Sequence, residues 1–194
     1  MIPLLLIRHG KTEWNLQKKL QGRQDISLCE VGITELKQMS LPTEFNHFEW
    51  CVSPLKRAQE TAKLLGAENF ATDDRLIEMD FGEWEGCTIK ALRERYGQSM
   101  LDNEAKGIYM TPPQGESPYD VQQRLRSFLR GLRNPTIAVT HKGVIRAIKS
   151  LAYDWDMKDK FPMEFKWNAA HLFEVTSEGI PVGKKLNIKL DAAK

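Results

Sequence analysis

Arg8-His9-Gly10 and His141-Lys142-Gly143 set an imidazole, a cation and a glycine side by side at two distant points of the chain. Each follows a largely apolar run, residues 2–7 and 136–140, of the length of a buried strand. Glycine then lets the backbone turn. Both histidines are thereby expected at strand carboxyl ends, the edge of an open α/β sheet where ligands bind. A third cation, Arg57, falls in Ser53-Pro54-Leu55-Lys56-Arg57-Ala58. It would lie in the first turn of a helix, where the dipole disfavours positive charge. An anion bound jointly by Arg57 and the N-terminal amides would account for it. A fourth feature is the loop Glu78-Met79-Asp80-Phe81-Gly82-Glu83-Trp84-Glu85-Gly86. A carboxyl held there among aromatics would have a raised pKa and suit a general acid. Five carboxylates lie between residues 74 and 85, and spacing alone does not choose among them.

Two histidines, two arginines and a carboxyl suit phosphoryl transfer through a histidine. A phosphoryl group spreads negative charge over three oxygens, so cationic clamps and positioning carry the catalysis. The attacking imidazole nitrogen must be unprotonated, and nearby arginines favour that state. The departing alkoxide takes a proton from a carboxylic acid.

These residues need a scaffold, and the remaining pattern supplies it. Strands are expected at residues 2–7, 50–52 and 136–140. Helices are expected at 30–39, 55–65, 88–96, from 118 onward after an N-cap at Ser117, and at 143–152. Residues 72–86 and 98–118 read as loops, the second of a length that often forms a lid. Residues 170–175 and 180–190 close the chain as a hairpin around Ser177-Glu178-Gly179, expected antiparallel at a sheet edge. Strands alternating with helices predict an α/β fold with a mostly parallel sheet covered on both faces. No linker divides residues 1–194, so one domain is expected.

Composition narrows the function classes. The net charge of +2 gives no field for nucleic acid or an acidic membrane. Cys29, Cys51 and Cys87 are odd in number and lack a C-x-x-C pair, against a zinc or disulfide framework. With no basic, apolar or cleavable leader pattern, a reducing cytoplasm is expected. Gly10-Lys11-Thr12 mimics the end of a P-loop, but Leu5 stands where that motif requires glycine. Zinc on His9 and His141 is disfavoured by the neighbouring arginines. His47 reads as a surface residue and His171 as core or rim.

The segments Arg8-His9-Gly10-Lys11-Thr12-Glu13-Trp14-Asn15, Ser53 to Ala58, Glu78 to Gly86 and His141 to Arg146, in that order, resemble the histidine phosphatase superfamily, which includes the cofactor-dependent phosphoglycerate mutases. The resemblance implies a three-layer α/β/α sandwich of phosphoglycerate mutase type. It implies His9 as the nucleophile, Arg8, Arg57 and His141 as ligands of the phosphoryl oxygens, and Glu78 as proton donor. Asn15 matches a phosphate-contacting position and Gln21-Gly22 a loop closing over substrate; the Lys142 amide is a further donor. No metal and no cofactor are implied. The Phe-Gly-Glu-Trp-Glu-Gly form and the little room for an insertion after it are similar to the phosphatase branch, including α-ribazole phosphatases. A small phosphorylated substrate and a monomer or homodimer are expected. Mutase chemistry is the alternative, and a non-enzymatic phospho-ligand or phosphoprotein binder the second. Cys29 departs from the threonine usual at its position, weakening the following helix cap.

Overall fold

The computed structural model describes residues 1–193. The strands are β1 (Ile2–Arg8), β2 (Met39–Ser40), β3 (Glu49–Val52), β4 (Ala71–Thr72), β5 (Thr136–Thr140), β6 (Ala170–Val175), β7 (Pro181–Ile188) and β8 (Asp191–Ala192). The helices are α1 (Glu13–Leu16), α2 (Glu30–Lys37), α3 (Lys56–Leu64), α4 (Ile89–Tyr96), α5 (Gln98–Glu104), α6 (Pro118–Gly131) and α7 (Lys142–Tyr153). One six-stranded sheet has the order β4-β3-β5-β1-β6-β7, and β2 pairs β8 separately. β5 is parallel to both β1 and β3, and β3 to β4; β6 runs against β1, and β7 against β6.

The unbroken apolar run of β1 follows from its central place, because both faces are covered. Leu4 and Leu6 pack with Val121, Leu125 and Phe128 of α6 and with Val144 and Ile148 of α7. Leu5 and Ile7 point the other way, against Leu36 of α2 and Ala58 and Ala62 of α3. These are the three layers expected, and burying each such leucine contributes about 1.5–3 kcal/mol.

Local signals act as anticipated at most element ends. Ser117 caps α6 through a reciprocal capping box with Asp120, and Pro118 opens the helix. The β6–β7 hairpin turns at Gly179, whose φ of 80° suits glycine. At α2, Cys29 provides no side-chain cap. The Leu28 amide is satisfied instead by Glu60, at 2.8 Å. Two expectations of loop are corrected. Residues 98–104 form α5, and Ala71–Thr72 forms edge strand β4. Gly97, read as a stop for α4, is also the N-cap of α5. Among the described residues no helix is long and apolar enough to cross a membrane.

Candidate active site

Sheet pairing builds the centre of the site. Arg8 of β1 stands opposite Thr140 of β5, and the ladder runs one residue further where His9 N–H donates to Thr140 O at 3.0 Å. Ser53 N–H extends β3 in the same way, donating to Val139 O at 3.0 Å. His9, His141 and Ser53 therefore emerge together at the carboxyl edge. The two imidazole rings lie 5.2 Å apart, tilted by 52°. His9 Nδ1 is 2.7 Å from Gly10 O, a bond in which the nitrogen must donate. His9 Nε2 is left with a bare lone pair. His141 Nε2 lies 2.6 Å from Ser53 Oγ, while its Nδ1 is buried without a partner. For Nδ1 to donate to an anion, Nε2 must accept the Ser53 hydroxyl proton.

Arg57 is fully buried, with 0% exposure. Its terminal nitrogens donate to Gly22 O at 2.8 Å and Gln24 O at 2.7 Å. These carbonyls answer half of the question posed by a cation at a helix N-terminus. The other half is its Nε, which is buried and unpartnered, as is Nε of Arg8. Thr61 ties this cluster to the nucleophile's turn, receiving the Gly10 amide at 2.9 Å and donating to Arg57 O at 2.6 Å. Three nitrogens without partners among the described residues, on Arg8, Arg57 and His141, thus belong to side chains near enough to His9 for both arginines to bear on its charge and for the His141 ring to lie 5.2 Å from its own. Buried donors without partners are costly, and oxygens of an anion would satisfy them.

Glu78 is buried and closes the site. Its carboxylate accepts Met79 N–H at 2.7 Å and Gly143 N–H at 3.1 Å, the latter from the first turn of α7. Of the five carboxylates in the segment, this one faces the cluster. Its backbone is held by Arg124 of α6, which donates to Ile77 O at 2.7 Å and Glu78 O at 3.3 Å and pairs with Glu116 at 3.0 Å. Arg124 carries little sequence signal, because three of its partners, on Arg75, Ile77 and Glu78, are backbone carbonyls. Gly143 is required for clearance: a Cβ there would lie 2.3 Å from Glu78 Oε1. Gly143→Ala is accordingly expected to push the Glu78 carboxyl aside and break its bond to the residue 143 amide. Circular dichroism should stay unchanged; a crystal structure of the variant with that bond intact would count against this placement of Glu78.

A cavity of about 630 Å³ opens over the cluster, lined by Arg8, His9, Asn15, Gln21, Arg57, Glu78, Lys142 and Gly143 among others. Asn15 uses its side-chain oxygen to cap α1, accepting Thr12 N–H at 3.0 Å, and so keeps its amide nitrogen for the cavity. Gln21 is tied to Thr12 Oγ1 at 2.7 Å. Gly22 reaches the site through Arg57; its φ is 54°, and a Cβ there would meet the Glu85 carboxyl. The Lys142 amide is the first of α7 and has no intrahelical partner. His47 and His171 lie outside the cluster; His171 stacks on Phe165 at 3.6 Å. Arg146, which lines the cavity, and Ser53, buried against His141, carry no role assigned from sequence.

The model of the histidine phosphatase superfamily (branch 1) matches residues 4–187. The chain belongs to that superfamily. A 2,3-bisphosphoglycerate-dependent phosphoglycerate mutase of Azorhizobium caulinodans is 32% identical over 163 residues, 75% of this chain and 78% of that protein. An Entamoeba histolytica phosphoserine phosphatase, solved with 3-phosphoglyceric acid, superposes with a TM-score of 0.79 at 26% identity, covering 96% of this chain and 97% of its own. The protein TTHB049 from Thermus thermophilus gives a TM-score of 0.65 at 32% identity, over 78% of this chain and 85% of its own.

Electrostatics in this member of the histidine phosphatase superfamily follow from burial beside cations. Burial, then Arg57 and Arg8, push His9 well below the usual histidine range. Burial, then His9 and Arg57, do the same to His141. Burial holds His171 down to about 4. Glu78 moves up, because burial outweighs its amide bonds and the two arginines. The three histidines bind protons less readily folded than unfolded. Below the unfolded value of about 6.5 the unfolded chain gains protons that the fold refuses, so stability falls with pH. Glu78 acts oppositely, with one proton against three. Urea midpoints are expected to drop between pH 7 and pH 5.5, each histidine costing up to about 1.4 kcal/mol per pH unit. A midpoint flat over that range would mean that the buried imidazoles accept protons in the fold.

Proposed function

We propose that this protein hydrolyses small phosphomonoesters through a phosphohistidine on His9, with Glu78 as proton donor. The observation that carries the reading is the ring of unpartnered donors, Arg8 Nε, Arg57 Nε and His141 Nδ1, around an imidazole whose Nε2 is free. The phosphoryl oxygens take those three donors. His9 Nε2 attacks phosphorus as the ester P–O bond breaks, and the Glu78 carboxyl gives its proton to the departing alkoxide. Glu78, then ionised, accepts a proton from the water that attacks the phosphohistidine. That second step releases phosphate and restores His9. Asn15, Gln21 and the Lys142 amide bind substrate at the cavity wall.

Mutase chemistry is the second reading, favoured by the identity to phosphoglycerate mutases. The two share the first half-reaction and differ in what takes the phosphoryl group from His9. The test is phosphate release from a panel of esters in the presence of a chelator, beside a 3-phosphoglycerate reaction primed with 2,3-bisphosphoglycerate. Chelator-resistant release from several esters supports the phosphatase. Isomerisation of phosphoglycerate faster than release overturns it in favour of a mutase.

A further inference from the structure

The irregular chain between α7 and β6, residues 154–169, meets the site at two places. Met157 lines the cavity of about 630 Å³, and Trp167 lines a neighbouring cavity of about 320 Å³ together with Arg8 and His9. The Trp167 ring centre lies 5.7 Å from the Arg8 guanidinium and 5.1 Å from the Lys142 ammonium. Arg8 is a phosphoryl ligand on the reading above, and its Nε is buried without a partner. An aromatic face attracts a guanidinium through the ring quadrupole and accepts none of its in-plane N–H groups. Trp167 therefore gives Arg8 a wall to rest on and leaves its donors to an anion.

The segment that carries Trp167 is tied down at both ends. At its start Trp155 N–H donates to Ser150 O of α7 at 3.1 Å. Near its end His171 accepts Asn187 N–H on Nδ1 at 3.1 Å, so its Nε2 carries the proton and donates to Lys166 O at 3.0 Å. Asn187 grips the same turn, accepting Lys166 N–H at 2.7 Å and donating to Glu164 O at 2.9 Å. Between these anchors stands Lys149 of α7, with 3% exposure. Its ammonium lies 4.0 Å from the ring centre of Phe161, 4.2 Å from Phe165, 4.8 Å from Trp155 and 5.8 Å from Trp167. All four rings belong to the segment. Burial, then Arg146 and Lys142, lower the Lys149 pKa to about 8, so it remains an ammonium at pH 7. Among the described residues that charge is faced by rings and by no carboxylate. Cation–π attraction is strongest where water is excluded, as here.

We propose that Lys149 is a positioning residue of the phosphoryl site: its ammonium clasps residues 154–168 to α7 and so seats Trp167 against Arg8. The assignment rests on the reading of Arg8 as a phosphoryl ligand and adds the element that aims it. The test measures the dissociation constant of inorganic phosphate by calorimetry, and kcat and KM for p-nitrophenyl phosphate. The proteins are wild type, Lys149→Met, Trp167→Leu and the double variant. Methionine is unbranched like lysine, packs well among aromatic rings and carries no charge. Lys149→Met is therefore expected to match or exceed the urea midpoint of wild type, yet to bind phosphate about 10-fold more weakly, within the worth of a desolvated cation–π contact. A saturating ester selects the seated arrangement, so KM should rise with the phosphate constant while kcat stays within about threefold. Trp167→Leu should weaken phosphate by a similar factor. The double variant should stay within about twofold of either single one, because both changes act on one coupled element. A phosphate constant unchanged in Lys149→Met, losses that multiply in the double variant, or a fall in kcat at constant KM would overturn the assignment and leave the anion site standing. A urea midpoint lowered in step with phosphate affinity would also overturn it, by making Lys149 a part of the core alone. If wild type releases phosphate from no ester, the phosphatase reading falls and the phosphate constants still decide the role of Lys149. Wild type that binds no phosphate would remove both.

Discussion

His9→Ala is expected to abolish phosphate release, with a loss of about 10⁴-fold or more, as when other covalent nucleophiles are removed. The fold should survive, because the imidazole makes a single hydrogen bond, to the neighbouring Gly10 carbonyl. What the variant loses is the atom on which the phosphoryl group rests. Rapid acid-free quenching of wild type with substrate should trap a phosphorylated peptide containing His9, absent from the variant. The vacated cavity should still bind inorganic phosphate or vanadate, since Arg8, Arg57 and His141 remain. Residual turnover within tenfold of wild type would mean that His9 is not the nucleophile, and a phosphopeptide mapped elsewhere would name the residue that is.

The second large effect is at Glu78 and depends on the leaving group. Glutamine keeps the shape and an oxygen for the Met79 and Gly143 amides, but has no acidic proton. Loss of a general acid costs typically 10²- to 10⁴-fold. That loss is expected for alkyl phosphates, whose alkoxides leave only when protonated. Nitrophenolate leaves without a proton, so in the same variant the burst of nitrophenol that accompanies phosphohistidine formation should be largely retained, while the hydrolysis step shared by both esters slows. The sign of the pH dependence follows. Glu78 must be protonated and His9 unprotonated, so the raised carboxyl pKa extends activity toward neutrality and the depressed imidazole pKa delays the acid limb. Glu78→Gln should flatten the alkaline limb for alkyl esters. Equal losses on both ester types in the phosphohistidine-forming step would reduce Glu78 to a positioning role.

Much of this site was legible because its chemistry clusters in short segments. Arg8-His9-Gly10 and His141-Lys142-Gly143 each join a strand, a turn and two functional groups, and sheet pairing brings the segments together. The parallel core was legible from runs such as Leu4-Leu5-Leu6-Ile7, which only a strand covered on both faces can bury. Three things were not. α5 buries only Met100 and leaves its other apolar residue, Leu101, exposed, so no periodicity marks it. Arg124, beyond its pair with Glu116, acts on carbonyls, which every residue possesses. The aromatic residues around Lys149, with Phe161 at 4.0 Å and Phe165 at 4.2 Å, come from the irregular chain between α7 and β6. Their contact with α7 is a product of the fold and of no local spacing. Gly143 lay between: its place in a motif was plain, but its steric reason is a carboxylate more than sixty residues away in sequence.

The site residues are delivered by the pairing of β1, β3 and β5, strands from the beginning, first third and later part of the chain. Such non-local parallel contacts close slowly, after local helices have formed. A refolding chain with its helical signal restored still has His9 and His141 on unpaired segments and cannot bind an anion at three nitrogens. Recovery of activity therefore times completion of the central sheet. On the proposed reading, a phosphate that binds only the paired state would draw the last step of folding forward by mass action.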